Sequence, residues 1–260
     1  MDALVLAGGK LEGTFAQLVG LELKALLEFG GRTLLEIAVA ALRGCERVER
    51  IAVSGPPEIE PAVQRAQADL FVKARETVIG TVRWAAEQLA VEGPFLLSAS
   101  DLPLLASADF DALTEQIPDT PAVGYTVVSR EPFEREFPAH PKRFIHLADG
   151  DFRGGGAAVV HTTLLAPLEP LLQASFEARK SMTHLARLVG PKVFLQFVLS
   201  QFLGPRFAPT SEAIRQQIER KLGCPALLLR GTPGLGFDVD KPADWEYLKK
   251  GAEGSGEFPI

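Results

Sequence analysis

Cysteine is nearly absent. The two in 260 residues, Cys45 and Cys224, lie far apart and form no C-x-x-C pair, which excludes a disulfide framework and a cysteine zinc site. A reducing cytoplasm fits such a chain. Histidine is scarce as well: His140, His146, His161 and His184 show no ligand-like spacing and read as structural or surface residues. There is no basic excess. With 27 Lys and Arg against 33 Asp and Glu, the formal net charge is −6, which argues against bulk binding to DNA or RNA. Long apolar runs are missing too. The most lipid-like stretch, Val193 to Leu203, is broken by polar residues and falls short of the roughly 20 needed to span a bilayer; it reads as a buried helix. No basic region precedes the first apolar run, so the N-terminus does not read as a secretion signal. Finally, Gly8-Gly9-Lys10-Leu11-Glu12-Gly13-Thr14 fits neither G-x-x-x-x-G-K-[ST] nor G-x-G-x-x-G, which removes the two commonest phosphate-binding motifs.

What the chain has is alternation. Ala3 to Ala7 reads as a buried first strand ending at Gly8-Gly9. Thr33-x-x-Glu36 is a capping box opening a helix to about Arg43, with Gly44 placed to stop it. Arg50–Ser54 reads as a strand, Glu58–Ala66 as a helix, Asp69–Lys73 as a short strand and Thr77–Ala90 as a helix. Phe95–Ser100 is a further strand, Ser107–Ile117 a helix and Ala122–Val128 a fifth strand. Such alternation predicts right-handed β-α-β units in a mostly parallel sheet. Ligands of these sheets bind at the carboxyl ends of strands, which puts Gly8, Gly9, Ser54 and Asp101 on one rim.

From Ser129 the pattern changes. The stretch around Pro132, Pro138 and Pro141 reads as a loop, Arg143–Leu147 and Ala157–Val160 as two strands around a turn, and Thr162 to Leu222 as mainly helical. Ala226–Arg230 and Gly236–Asp240 return to strand character, and Pro242–Lys250 reads as the last helix. The expected organisation is one α/β domain over 1–253, Rossmann-like and three-layered, with an acceptor-side and helical insertion over about 129–225 and a loose tail over 254–260.

Three places carry candidate chemistry. Gly8-Gly9 is either a tight exit turn or a concavity whose backbone N–H groups approach an anion, with Lys24 adding positive charge. Asp101, at the end of a buried strand and followed by Leu102-Pro103, is either a Mg²⁺ ligand or a turn cap. On an extended strand Asp238 and Asp240 project to one face, where two like charges call for a cation or donors.

Taken together, Leu6-Ala7-Gly8-Gly9, Lys24-Ala25-Leu26, Ser100-Asp101-Leu102-Pro103 and Asp238-Val-Asp240-Lys-Pro242-Ala-Asp244 resemble, in order, the motifs of the MobA-like nucleotidyltransferases. The resemblance implies a glycosyltransferase-A-type fold and a Mg²⁺-dependent transfer of NMP from an NTP to a small, phosphorylated acceptor, with release of pyrophosphate. It implies Lys24 and Asp101 as catalytic residues. Leu6, Ala7, Gly8, Gly9, Lys10 and Gly80 would bind the nucleotide, and Asp101, Asp240 and Asp238 the metal, with Asp244 capping the final helix. Many members carry an arginine after the glycines where this chain has Gly13-Thr14-Phe15, and Lys10 is the nearest cation able to replace it. Arg153-Gly154-Gly155-Gly156 resembles an acceptor-side segment in which Gly156 replaces an Asn. The expected partners are an NTP and a small-molecule acceptor, with no nucleic acid and no membrane; a homodimer is left open. Two rival readings are a glycosyltransferase using a nucleotide-sugar donor and a nucleotide-binding regulator without turnover.

Overall fold

Strand β1 (Asp2–Leu6) is apolar on both sides, and both are buried: Ala3 and Val5 join one core cluster and Leu4 the other. That is the situation of a central parallel strand covered on two faces. The computed structural model describes residues 1–178, 190, 193–197, 199, 200 and 204–254. The expected buried helix over Val193–Leu203 lies partly, and the tail beyond Gly254 wholly, outside these residues.

β1 pairs in parallel with β4 (Ile51–Gly55) and β6 (Pro94–Ala99), and β5 (Leu70–Lys73) extends the sheet beyond β4. On the other side stand β7 (Val123–Ser129), β9 (Gly150–His161) and β10 (Ala226–Arg230), giving the order β10-β7-β9-β6-β1-β4-β5. The short β8 (Ile145–Leu147) pairs with β9. A separate small hairpin joins β2 (Glu28–Phe29) to β3 (Arg32–Thr33). In the large sheet, among the described residues, only β9 and β8 break the parallel rule: β9 runs antiparallel to β6, β7 and β8. The sheet is therefore mixed and mostly parallel, as expected.

Helices cover both faces. α2 (Leu34–Gly44), α3 (Glu60–Arg65), α5 (Ser107–Thr114), α6 (Arg130–Glu136) and the terminal helix α10 (Pro242–Gly254) bury apolar residues in one cluster. α4 (Val78–Leu89), α7 (Leu165–Ala178) and α8 (Ser211–Leu222) bury theirs in the other. The capping box of α2 is formed: Glu36 N donates to Thr33 Oγ1 (3.2 Å), and Thr33 N donates to Glu36 Oε2 (2.7 Å). Thr77 caps α4 by accepting from Gly80 N at 3.0 Å.

The stretch between Gly9 and Lys24, to which the sequence assigned no element, contains a helix, α1 (Gly13–Val19). Three local expectations are corrected. The proline-bearing stretch after Ser129 begins with α6, because Pro132 falls in its first turn, where the missing N–H has no intrahelical partner to lose. β9 starts at Gly150, so Arg153-Gly154-Gly155-Gly156 is strand and not turn. Gly236–Asp240 is not a strand: α9 (Pro233–Gly236) is a single helical turn, the following residues are irregular, and α10 (Pro242–Gly254) closes the described chain. Their backbone donors are used elsewhere, Val239 N by Asp101 O at 2.9 Å and Asp240 N by Asp244 Oδ2 at 2.9 Å. No helix among the described residues is long and apolar enough to cross a membrane.

This topology fixes one edge. Because Ser98 pairs with Ala157 and the two strands oppose each other, the first half of β9 runs on past the carboxyl end of β6, beside β7. It walls the rim where β1 and β6 end.

Candidate active site

Three segments distant in sequence meet at that rim, and main-chain bonds hold them there. Lys24 N donates to Gly9 O (3.0 Å) and Leu11 N to Glu22 O (2.8 Å), which ties the stretch leading to Lys24 against the loop after β1. Val239 N donates to Asp101 O, which ties the segment carrying Asp240 to the end of β6.

The side chains complete the cluster. Lys24 Nζ donates to Asp101 Oδ2 at 2.9 Å and also to Asp240 Oδ1. Lys24 and Asp101 are mostly shielded, with side chains 13% and 18% exposed, whereas Asp240 is 49% exposed at the mouth. Burial alone would lower the lysine pKa, but the Asp101 and Asp240 carboxylates outweigh it and hold it above its ordinary value. The ammonium is therefore charged throughout the physiological range.

Gly8 and Gly9 are exposed beside this cluster. Neither has a positive φ, a Cβ on Gly8 would meet nothing within 4 Å, and one on Gly9 would make only ordinary contact with Lys24 Cδ at 3.4 Å. Neither backbone conformation nor packing asks for glycine here. The open space above the loop admits close approach of a ligand to backbone N–H groups. Leu6 and Ala7 end β1 and lead into the loop, with Ala7 N donating to Ser54 O at 2.7 Å. Ser54 is buried, and its Oγ has no partner among the described residues.

Other expected residues fall elsewhere. Asp238 does not stand beside Asp240. The segment is not a strand and the two side chains take different partners: Asp238 Oδ1 accepts from Arg153 Nη2 (2.7 Å) and pairs with Lys142 Nζ (3.0 Å). Lys10 makes a backbone bridge to Leu23 while its side chain lies in solvent. Phe15, where relatives carry the arginine, is buried in the core, so the position offers no cation. Gly80 sits in the first turn of α4, packed against Thr77 Oγ1, with Glu169 Oε1 3.7 Å from where its Cβ would be. It has no part in the lysine–carboxylate cluster. Gly156 leaves room for Leu102, whose Cδ1 would lie 2.6 Å from an added Cβ; its smallness serves packing beneath Asp101.

Sequence reasoning missed Lys142, an ordinary lysine in a proline-rich stretch. Its Nζ donates to Asp238 O (2.6 Å) and Asp244 Oδ2 (3.1 Å), and Asp244 Oδ2 accepts from the N–H groups of Asp240 and Lys241, at 2.9 Å each. Asp244 thus caps α10 as expected. His140, packed on Phe133, Phe237 and Tyr247, lies 3.6 Å from Asp244. Burial lowers its pKa to about 4; the pull of Asp244 opposes this, while Lys142 and Arg153 reinforce it.

The MobA-like NTP transferase domain matches residues 3–197. The chain belongs to this family. A solved structure described as a hypothetical transferase from Thermus thermophilus is 29% identical, with a TM-score of 0.75 over 94% of this chain and 98% of its own. A 4-diphosphocytidyl-2C-methyl-D-erythritol synthase (17% identity, TM-score 0.54, 95% of this chain and 96% of its own) shares the fold. So does a CMP:2-keto-3-deoxy-manno-octonic acid synthetase solved with CTP (14% identity, TM-score 0.55, 96% and 98%). No curated protein matches. Family and fold together make this a transferase of the nucleotidyltransferase type.

The residues present fit the divalent ion such a fold implies. A cationic group, the Lys24 ammonium, already lies between the Asp101 and Asp240 carboxylates. Two hard oxygen donors with the remaining positions left to phosphate and water suit Mg²⁺ better than a soft metal. Among the described residues no group of three or more His, Cys, Asp or Glu could hold a metal, so an ion here would share its shell with substrate.

Proposed function

We propose that the chain transfers NMP from an NTP to a small phosphorylated acceptor. The observation that carries this reading is the meeting of Lys24, Asp101 and Asp240 beside an open Gly8-Gly9 loop. The glycine amides and the Lys24 ammonium take the triphosphate and stabilise charge as it develops on the departing group. An acceptor phosphate oxygen forms the new bond to the α-phosphorus in line, the bond to the α,β-bridging oxygen breaks, and pyrophosphate leaves with that electron pair. A phosphate acceptor is already ionised at neutral pH, so no side chain has to remove a proton. Asp101 and Asp240 would hold Mg²⁺, which when bound neutralises charge along the phosphates. Asp238, turned to Arg153 and Lys142, instead anchors the segment that carries Asp240. Gly80, in the first turn of α4, would approach the base.

The test is incubation with each NTP, Mg²⁺ and a panel of phosphorylated metabolites, recording pyrophosphate, with Asp101→Ala in parallel. The reading expects release with at least one pair and none from the variant. Nucleotide binding without release would point to a regulator, and a nucleoside diphosphate freed from a nucleotide sugar would point to glycosyl transfer.

A further inference from the structure

The Asp101 and Asp240 carboxylates converge on one point, and Lys24 Nζ occupies it. The lysine is not free to idle elsewhere at no cost. Its backbone is pinned to Gly9 O and its side chain passes across Gly9, with Cδ 3.4 Å from where a Cβ would be. A dication and an ammonium cannot both sit between the same two carboxylates, because like charges at that distance repel strongly. Each therefore excludes the other unless something else receives the ammonium. The open Gly8-Gly9 loop beside the lysine is where an anionic phosphate chain would lie under the reading given above, on which this inference rests. A phosphate there supplies the alternative partner.

We propose that Lys24 is a placeholder cation: it keeps the Asp101–Asp240 site closed to divalent ions until a polyphosphate draws its ammonium away, so that metal and nucleotide bind as a coupled pair. Because coupling is reciprocal, the ion must raise nucleotide affinity by the same factor.

Mn²⁺ alone, followed by electron paramagnetic resonance on the full chain without nucleotide, tests this directly. The wild type should bind Mn²⁺ weakly at this site. Lys24→Met should bind it about 5- to 150-fold more tightly, the range of typical site-to-site coupling. Lys24→Met combined with Asp240→Asn should lose that gain. Lys10→Met removes the same charge from an exposed position on the same rim, and should change Mn²⁺ affinity far less. Equal affinities for wild type and Lys24→Met overturn the proposal, and so does an equal gain from Lys10→Met, which would reduce the effect to general electrostatics. A second measurement needs no variant. The rate at which acetic anhydride modifies Lys24, read by mass spectrometry, should rise at saturating Mn²⁺ as the ammonium is expelled; an unchanged rate is equally fatal. The nucleotide reading is separated by adding a slowly hydrolysed NTP analogue. If Lys24→Met gains Mn²⁺ affinity but neither protein binds the analogue, the exclusion of metal by Lys24 stands, while its coupling to nucleotide and the proposed function both fall.

Discussion

Lys142 shows how much one side chain organises here. Its ammonium joins the Asp238 main chain and carboxylate to Asp244, whose carboxylate in turn fixes the amides of Asp240 and Lys241. It acts on the site only through these neighbours, as a positioning residue. Lys142→Met leaves the buried Asp244 carboxylate without its ammonium partner, while Asp238 keeps Arg153, and breaking such a buried pair costs roughly 3 kcal/mol. Urea unfolding should show a loss of that order; an unchanged midpoint would assign the strut no weight. His140 makes a second prediction at this scale. Its pKa is about 4 in the folded chain against an ordinary 6.5, so between those values the unfolded chain binds the extra proton and acid favours unfolding. Stability should therefore be full above about pH 6.5 and fall toward pH 4, and His140→Gln should flatten that decline. A variant with the wild-type slope across this window would show that another group sets it.

At the scale of elements, local signals decide what was legible in the sequence. The Thr33–Glu36 capping box, the buried run of β1 and the helix beginning at Thr77 follow from neighbouring residues alone, and all three form. Thr33→Ala should cost about 1 kcal/mol, a drop in melting temperature of roughly 2–4 °C for a domain of this size. Where competition was long-range, the sequence misled. Asp238 and Asp240 alternate as a strand would, yet the end of β6 and the Asp244 carboxylate take their segment's amides. The glycines at 154–156 read as a break, yet strand neighbours and Leu102 need the space their missing side chains leave. Gly156→Asn would force an added atom into fully buried Leu102. We expect about 1–3 kcal/mol of lost stability from overpacking, and reduced turnover because Leu102 adjoins Asp101. Full retention of both would mean that the loop after β6 yields easily.

Over the whole molecule, the parallel strands β1 and β6 deliver Gly8-Gly9 and Asp101 to one edge, and β9 walls it by passing the end of β6. The rim was legible in advance because strand ends in such sheets share a side. The Lys24 clamp was not, since residues separated by 77 and 216 positions meet only through tertiary bonds. In the proposed function Asp101 and Asp240 work as one unit in nucleotidyl transfer. The most direct test is the rate of pyrophosphate release for Asp101→Asn, Asp240→Asn and the double variant, read as a double-mutant cycle. If the pair is one site, each single change should lower the rate by about 100-fold or more and the double change should add little further loss. Independent, multiplying losses, or wild-type turnover in either single variant, would show that the two carboxylates do not form one site.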